Sequence, residues 1–209
     1  MFITFEGIEG SGKSTQARYL VERLKSNGIS TILTREPGGT RAGRLIRQIL
    51  LSSKSSDLSP LAELFLYVAD RSQHVVEIIK PGLSRGEWVV CDRFFDATIA
   101  YQGYARGQDI SLIRILNERA TFGIRPDITF LLDLPAETGL ERALKRNKDK
   151  GLESEARFES EAIDFHEAVR KGYLSIAAED AKRVVTIDGT CSEAEIGMRI
   201  FEHIRPFIG

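Results

Sequence analysis

Cysteine, net charge and long apolar runs are all scarce in this sequence, and each shortage excludes a class of protein. The 209 residues include two cysteines, Cys91 and Cys191, which are too few for a disulfide framework, so we expect a reducing, cytoplasmic location. The formal net charge of −1 provides no overall positive field for nucleic acid or an anionic membrane surface. No apolar run approaches the ~18 residues of a membrane-spanning helix. The opening segment, MFITFEGIEG, lacks the basic start and long apolar stretch of a signal peptide.

The remaining composition is that of an ordinary globular protein. Hydrophobic residues make up 42% and charged residues 28% of the chain, which excludes disordered and fibrous classes. A chain of this length buries roughly 70% of its unfolded surface, and we expect a single domain over residues 1–209. Arginine is the unusual component, with 20 arginines against 9 lysines. These arginines either gather at one phosphate-binding site or pair with the 30 acidic residues on the surface.

Short apolar segments alternate with segments of helical periodicity. Five strands are predicted, at Met1–Phe5, Ser30–Thr34, Trp88–Asp92, Ile128–Leu134 and Val184–Asp188. Helices are predicted at Ser14–Lys25, Thr40–Leu51, Pro60–Lys80, Asp109–Thr121, Ala136–Arg146, Ser160–Asp180 and Ser192–Ile204. Strands that alternate with helices form a parallel sheet covered on both faces. Ligands bind at the carboxyl ends of such strands, where this sequence places Glu6, Arg35, Asp92 and Asp133.

The segment GIEGSGKS, Gly7–Ser14, matches the phosphate-binding pattern G-x-x-x-x-G-K-[ST]. It follows the first predicted strand and opens the first predicted helix, which is the required context. Its glycines let backbone N–H groups point at phosphate oxygens, and the helix N-terminus adds a partial positive charge. Lys13 can reach the β- and γ-phosphates, and Ser14 can bind magnesium. The segment therefore predicts a nucleotide phosphate site.

GTPase switches, ATPase motors and small kinases share this loop, so other segments must distinguish them. A GTPase reads guanine with N-K-x-D after a strand, but the nearest string, Asn147–Asp149, is one residue too short and lies in a polar stretch. A motor usually has paired acids at a strand end, whereas here Asp92 is followed by Arg93. A carboxylate beside an arginine suits a site that holds magnesium-bound water and a second phosphate.

Three further segments make the pattern specific: TREPGGT at Thr34–Thr40, DRF at Asp92–Phe94 and AYQGYARG at Ala100–Gly107. With the phosphate loop, in this order and spacing, they resemble the signature segments of bacterial thymidylate kinases over essentially the whole chain. The resemblance implies a P-loop nucleoside monophosphate kinase fold, an α/β protein whose five-stranded parallel sheet is flanked by helices, with a mobile lid at about residues 143–158. It implies phosphorylation of dTMP to dTDP with ATP and Mg²⁺, a step in dTTP synthesis for DNA replication. It also implies a homodimer built on a helical face.

The resemblance assigns phosphate-side roles to individual residues. It implies that ATP contacts the loop and the helix before the lid, through Gly7, Glu9, Gly10, Ser11, Gly12, Lys13, Ser14, Thr15 and Arg142. Ser14 and Asp92 correspond to the positions that organise magnesium and its water. Arg93 matches an arginine placed between the donor and acceptor phosphates, and Arg47 matches one on the dTMP phosphate.

The thymidine side is assigned in the same way. Glu9 matches an acid that contacts the 3′-hydroxyl, and Tyr101 matches a ring beneath the deoxyribose that would clash with a 2′-hydroxyl. Tyr67 stands where the family usually has a phenylalanine that stacks on thymine. The hydrogen-bonding positions at the base are Arg71 at thymine O4, Gln102 at N3 and Thr98 beside it.

The lid is where this sequence departs from the family pattern. Gly10 stands where some members have an arginine, so the resemblance implies that the lid supplies the catalytic arginine. Arg157, in the string ARFE, fits the family pattern best, and Arg142 and Arg146 are the alternatives. The polar stretch 147–155 is longer and less arginine-rich than expected, and we expect it to be mobile without ligand. The predicted catalytic set is therefore Lys13, Asp92, Arg93 and Arg157.

The remaining predictions concern Phe65, the three histidines and the alternative functions. If Tyr67 belongs to the site, then Phe65 is the core residue of that helix. The three histidines, His74, His166 and His203, lack metal-like spacing, and we expect surface or capping roles. The alternatives to a dTMP kinase are another nucleoside monophosphate kinase, a deoxynucleoside kinase, or a nucleotide-dependent switch that has lost its chemistry.

Overall fold

Five parallel strands form the centre of the protein, in a computed structural model that describes residues 1–55, 57–151 and 156–208. The strands are β1 (Phe2–Glu6), β2 (Thr31–Arg35), β3 (Trp88–Asp92), β4 (Ile128–Asp133) and β5 (Val184–Asp188). Their order in the sheet is β2-β3-β1-β4-β5. The predicted five-stranded parallel sheet is confirmed. Because β1 is central, its carboxyl end lies beside those of β3 and β4, with Phe5 paired to Asp92 and Glu6 paired to Leu131.

Helices cover both faces of the sheet. They are α1 (Lys13–Ser26), α2 (Arg41–Leu51), α3 (Pro60–His74), α4 (Lys80–Ser84), α5 (Phe95–Thr98), α6 (Ile110–Thr121), α7 (Ala136–Lys150), α8 (Ile163–Glu179) and α9 (Glu193–Ile204). Side-chain caps start several of them, such as Thr40 before α2 and Ser59 before α3, which satisfies N–H groups that a helix start leaves without partners. None of the helices in the described ranges is both long and apolar enough to cross a membrane.

The two faces of β1 pack against different helices because successive side chains of a strand point in opposite directions. Ile3 and Phe5 are fully buried in a cluster with apolar side chains of α1 and α9. Phe2, on the other face, packs edge-on against Phe94. Burial on both faces explains why β1 is a continuous apolar run rather than an alternating one. Glu6 ends the strand and is 1% exposed, so a carboxyl group is buried where the sheet meets the phosphate loop.

Three regions of the chain differ most from the predicted elements. The helix predicted at Pro60–Lys80 is α3 followed by a π-helical turn, Val75–Ile79, and α4, so helical structure continues to Ser84. The segment after Arg93 has no predicted element, but it forms α5 and a second π-helical turn, Ile99–Ala105. Such short turns lack the repeated periodicity on which prediction depends, and they often occur at functional sites.

The third difference lies in the lid. Helix α7 continues to Lys150, four residues beyond the predicted end at Arg146. Gly151, with φ of 63°, ends it in the left-handed conformation that glycine adopts readily. Asn147 is 5% exposed and donates to Glu159 over 3.0 Å, so one polar residue of the stretch is anchored. The expected mobility of 147–155 stays a prediction, and residues 152–155 lie outside the described part of the chain.

Candidate active site

The carboxyl ends of the central strands open into a cavity of about 790 Å³. The predicted site residues that line it are Glu9, Gly10, Ser11, Gly12, Lys13, Ser14, Thr15, Arg47, Tyr67, Arg71, Asp92, Arg93, Thr98, Tyr101, Gln102 and Arg142. Gly7 and Arg157 are the predicted residues that do not line it. Seven arginines line the cavity, Arg18, Arg35, Arg47, Arg71, Arg93, Arg142 and Arg146. Seven of the 20 arginines therefore gather at one site, and others pair with acidic residues on the surface, such as Arg114 with Glu179 and Arg125 with Glu118.

The phosphate loop connects β1 directly to α1. Gly12 caps the helix with φ of 93°, a left-handed conformation that suits glycine, so α1 begins at Lys13. The Lys13 Nζ atom donates to the Ile8 carbonyl oxygen at 2.6 Å and to Ser11 Oγ at 3.2 Å, which holds the ammonium inside the loop. Burial, and then the charge of Arg93, lower the pKa of Lys13 to about 7. The loop thus places the Lys13 amino group and a helix N-terminus beside the cavity, where the negative charge of a bound phosphate would favour the protonated, cationic form of Lys13.

The Ser14 hydroxyl donates to Asp92 Oδ2, which joins the first turn of α1 to the end of β3. A hydroxyl and a carboxylate are hard oxygen donors of the kind that Mg²⁺ prefers. Among the described residues there is no group of three or more His, Cys, Asp or Glu side chains that could hold a metal ion by itself. The pair fits a Mg²⁺ that takes its remaining ligands from phosphate and water, as nucleotide-bound Mg²⁺ does.

Arg93 contacts the phosphate loop and lines the cavity. Its backbone has φ of 70°, a left-handed conformation that is costly for a residue with a Cβ. Its guanidinium donates to the Gly7 carbonyl oxygen at 3.1 Å, to the Tyr173 hydroxyl at 3.0 Å and to Glu9 Oε1 at 2.9 Å. Tyr173 in turn donates to Glu6 Oε2 at 2.8 Å. Glu9 directly, and the buried Glu6 through the Tyr173 hydroxyl, therefore fix the direction in which this arginine presents its charge.

The Glu9 carboxyl group lies among several of these polar side chains. Burial disfavours its ionised form, but Arg93, His166 and Lys13 together lower the pKa of the carboxyl well below its usual range. The Tyr101 hydroxyl also donates to Glu9 Oε1. Glu9 therefore presents an ionised carboxylate at the centre of the cavity.

Tyr67, Arg71, Thr98 and Gln102, the predicted thymine-binding residues, all line the cavity. Arg71 is 1% exposed, and its guanidinium donates to Glu36, to the Asn117 side chain and to the Phe94 carbonyl oxygen, at 2.9, 2.7 and 3.2 Å. The Thr98 hydroxyl is buried without a hydrogen-bond partner among the described residues, and a buried polar group of this kind calls for a ligand or water.

Arg157 does not line the cavity. Its side chain is 6% exposed, Nη1 donates to the Leu50 carbonyl oxygen at 3.1 Å and Nη2 lies 2.6 Å from Glu63 Oε2. Arg142 and Arg146, the two alternatives, line the cavity instead. Arg142 donates to the Gly189 carbonyl oxygen at 3.3 Å, in the turn after β5.

Three secondary expectations are wrong. Phe65 is 50% exposed rather than part of the core. His74 is fully buried between Glu36 and Thr34, at 2.9 and 2.6 Å from its ring nitrogens. His166 is 1% exposed, with Nδ1 3.7 Å from Glu9 Oε2. Sequence patterns misplace these two histidines because only the tertiary fold brings acids from distant segments against them; His203 is exposed, as expected.

The buried acids around the site carry no clear signal in the sequence. Glu36 holds Arg71, and Glu63 contacts both Gln102 and Arg157. The one available clue to Glu63 is that it lies one helical turn before Tyr67 and shares its face of α3. Nothing local in the sequence identifies its partners.

A parallel sheet in this strand order, with a phosphate loop after the central strand and a carboxylate–arginine pair after its neighbour, defines a P-loop phosphotransferase of the nucleoside monophosphate kinase class. A family model described as thymidylate kinase matches residues 5–200. The chain belongs to the thymidylate kinase family, whose members are transferases that phosphorylate dTMP.

Similar proteins cover the chain almost end to end. A thymidylate kinase from Desulfovibrio desulfuricans is 49% identical over 209 residues, which is 100% of this chain and 96% of that protein. One from Desulfosudis oleivorans is 53% identical over 201 residues, 96% of this chain and 94% of that protein. The crystal structure of thymidylate kinase from Ehrlichia chaffeensis superposes with a TM-score of 0.77, at 36% identity and 98% coverage of both chains.

Proposed function

We propose that the cavity holds ATP and dTMP end to end and transfers the γ-phosphoryl group of ATP to the dTMP phosphate. The observation that carries this proposal is that Arg93 donates to Gly7 and Glu9 of the phosphate loop and lines the same cavity as the predicted thymine-binding residues Tyr67, Arg71 and Gln102. Phosphoryl transfer needs alignment and cations more than covalent chemistry by the protein. A single cavity with a cation at its centre supplies both.

On the ATP side, the loop amides and Lys13 hold the β- and γ-phosphates. Ser14 and Asp92 would hold Mg²⁺, which neutralises phosphate charge when it is bound. The adenine lies towards Arg142 and the turn after β5, because Thr190 and Ser192 line the cavity there.

On the dTMP side, Arg47 and Arg93 bind the phosphate, and Glu9 accepts a hydrogen bond from the 3′-hydroxyl. Arg47 is half-buried and donates to the Pro37 carbonyl oxygen at 3.3 Å, so its stem is already positioned beside the cavity. Tyr101 packs edge-on against Phe158 and Tyr173 and forms a rigid wall beneath the deoxyribose.

The thymine base lies at the far end of the cavity. Tyr67 stacks on the ring, Arg71 donates to O4, Gln102 accepts from N3–H and Thr98 contributes its hydroxyl. The buried Thr98 oxygen, which has no partner among the described residues, supports this placement, since a polar ligand edge would satisfy it.

The lid supplies further positive charge. Arg142 and Arg146 contact phosphate oxygens from their positions at the cavity wall. The prediction that Arg157 is catalytic remains a prediction, and it requires the contact between Arg157 and Glu63 to open when the lid segment, about 143–158, closes over ATP.

We also propose a homodimer, with the described chain acting as one domain. Helices α2, α3 and α6 carry exposed apolar side chains, at Leu45, Ile49, Leu61, Phe65, Leu112 and Ile115. A second copy of the chain would cover this face. Sedimentation of the wild type and of a Phe65→Glu variant tests it, because a charge at a dimer contact should give monomers. The cytoplasmic location remains a prediction.

A coupled assay of ATP consumption against a panel of nucleoside monophosphates tests the proposed function. We expect dTMP to be the best acceptor and dUMP to be modestly worse, because loss of one methyl costs only about 1–3 kcal/mol. dCMP, AMP and GMP should be poor because they leave polar groups of the site without partners. A preference for AMP or dCMP would contradict the thymine placement, and the absence of ATP-dependent transfer to any acceptor would favour a nucleotide-dependent switch.

A further inference from the structure

Glu63 is a buried carboxylate that lies directly behind the base end of the cavity. It is 1% exposed, and its Oε1 atom accepts a hydrogen bond from Gln102 Nε2 at 2.9 Å. Its Oε2 atom lies 2.6 Å from Arg157 Nη2, and Arg106 Nε lies 3.6 Å from Oε1. Two arginines thus provide the compensating charge that a buried carboxylate needs.

A carboxylate paired in this way can only accept hydrogen bonds, so it determines which end of the Gln102 amide faces it. The NH₂ group turns towards Glu63, and the side-chain carbonyl oxygen therefore faces the opposite way. Gln102 is 1% exposed and lines the cavity. Its side-chain carbonyl oxygen has no hydrogen-bond partner within residues 1–55, 57–151 and 156–208. The group that Gln102 offers to a ligand is consequently an acceptor and not a donor.

Pyrimidine bases differ at the atom that such an acceptor would meet. Thymine and uracil carry a hydrogen on N3, whereas N3 of cytosine carries a lone pair and accepts hydrogen bonds. We infer that Glu63 is a positioning residue that selects thymine and uracil over cytosine by locking the Gln102 amide with its carbonyl oxygen towards the base. This inference rests on the proposed placement of thymine against Gln102.

A purely structural role for Glu63 predicts a different outcome. If the carboxylate served only as the counter-ion of Arg157 and Arg106, its loss would lower stability and leave the choice of base unchanged. The ratio of kcat/KM for dTMP to kcat/KM for dCMP separates the two roles, because a general loss of stability lowers both values together.

The test compares that ratio in the wild type, Glu63→Gln, Glu63→Asp and Arg106→Met. A glutamine at position 63 can donate as well as accept, so the Gln102 amide is free to turn its NH₂ group towards the base. Aspartate keeps the negative charge that pairs with the arginines, but its shorter side chain moves the carboxylate away from the Gln102 amide. We expect both Glu63 variants to lower the ratio at least about tenfold, the size of one hydrogen bond. Arg106→Met leaves the contact between Glu63 and Gln102 in place and should keep the ratio.

A double-mutant comparison tests whether Glu63 affects the choice of base through Gln102. In a Gln102→Met background, Glu63→Gln should not change the ratio further, because the amide that it positions is gone. The inference is overturned if folded Glu63→Gln and Glu63→Asp keep the wild-type ratio, or if Glu63→Gln changes the ratio equally with and without Gln102. A wild type that prefers dCMP, or a Gln102→Met variant that keeps the wild-type ratio, contradicts the thymine placement itself.

Discussion

Gly10 of the phosphate loop and Gly139 of α7 lie against each other with no room for a side chain on either. A Cβ at Gly10 would overlap the Gly139 carbonyl oxygen, and a Cβ at Gly139 would lie 2.6 Å from the Glu9 carbonyl oxygen. Helix α7, which carries Arg142 and Arg146, is therefore packed directly on the loop. Gly10, the position where some related kinases have a loop arginine, therefore has no space for a side chain in this chain.

This contact predicts that an arginine introduced into the loop disrupts it. We expect Gly10→Arg to lower stability by about 1–3 kcal/mol through overpacking and to weaken ATP binding. Gly28→Arg is a matched control, because Gly28 also has positive φ, 77°, but a Cβ there meets no atom within 4 Å. Thermal unfolding and KM for ATP measure both effects. Equal losses in the two variants would show that backbone strain, and not the contact with Gly139, is responsible.

Lys13 provides the second prediction. Removing a preorganised cation from the transferred phosphoryl group costs about 10²–10³ in turnover. We expect Lys13→Ala to fold normally and to lose at least that much kcat, while Lys25→Ala, at an exposed position of the same helix, stays near wild type. Normal circular dichroism together with near-normal turnover of Lys13→Ala would contradict the assignment of the loop to ATP.

Tyr101 should determine the choice of sugar. Its ring is held edge-on by Phe158, Phe165 and Tyr173, so it cannot easily move away from a 2′-hydroxyl. We expect Tyr101→Ala to lower the preference for dTMP over ribothymidine monophosphate by at least about tenfold, since that variant opens the space. Tyr101→Phe keeps the ring and should retain the preference, although it loses the hydrogen bond to Glu9. The comparison requires kcat/KM for both nucleotides; an unchanged preference in Tyr101→Ala would exclude steric selection by this ring.

The roles of the three candidate lid arginines can be distinguished by measuring both kcat and melting temperature for each alanine variant. We expect Arg142→Ala to lower kcat with little change in melting temperature, because its side chain lines the cavity and donates only a long, 3.3 Å hydrogen bond to the Gly189 carbonyl oxygen. Arg146→Ala should lower both kcat and the melting temperature, because Arg146 lines the cavity and its Nη2 atom lies 3.1 Å from the buried carboxylate of Glu159. Arg157→Ala removes a partner from buried Glu63 and should also destabilise the fold, by about 3–5 kcal/mol. If Arg157 becomes catalytic when the lid closes, the kcat of the Arg157→Ala enzyme should fall by about 10³ or more, and its KM for dTMP should stay unchanged. A destabilised Arg157→Ala enzyme with normal kcat would limit that residue to a structural role.

Asp70 should make stability depend on pH. Burial, and then the charge of Glu36, raise the pKa of Asp70 from 3.8 to about 6. Between these values the folded protein binds more protons than the unfolded chain, so this group's contribution to stability falls by about 1.4 kcal/mol for each unit that pH rises. We expect the free energy of unfolding of Asp70→Asn, relative to wild type, to increase between pH 4 and pH 7.5. Asp57→Asn, at an exposed carboxyl, should show no such trend in urea titrations.

Much of the phosphate end of the site follows from local sequence. The string GIEGSGKS predicts a loop between β1 and α1 because glycine spacing, the strand before it and the helix after it all lie within about 25 residues of chain. Asp92 and Arg93 follow a continuous apolar strand, and the carboxyl ends of parallel strands meet at one edge of a sheet. Local patterns and the parallel topology together are therefore enough to predict that Lys13, Ser14, Asp92 and Arg93 lie close together.

The sequence by itself determined the α/β class, the five strands, the phosphate loop and the family, because each depends on residues close together in the chain or on motifs read in order. Only the tertiary structure decided that Arg157 pairs with Glu63, that His74 and His166 are buried against Glu36 and Glu9, and that Gly10 is closed by Gly139. Those contacts join residues 38 to 157 positions apart. A buried charge is recognised only from its partner, and its partner is chosen by the packing of the sheet and helices rather than by any local pattern.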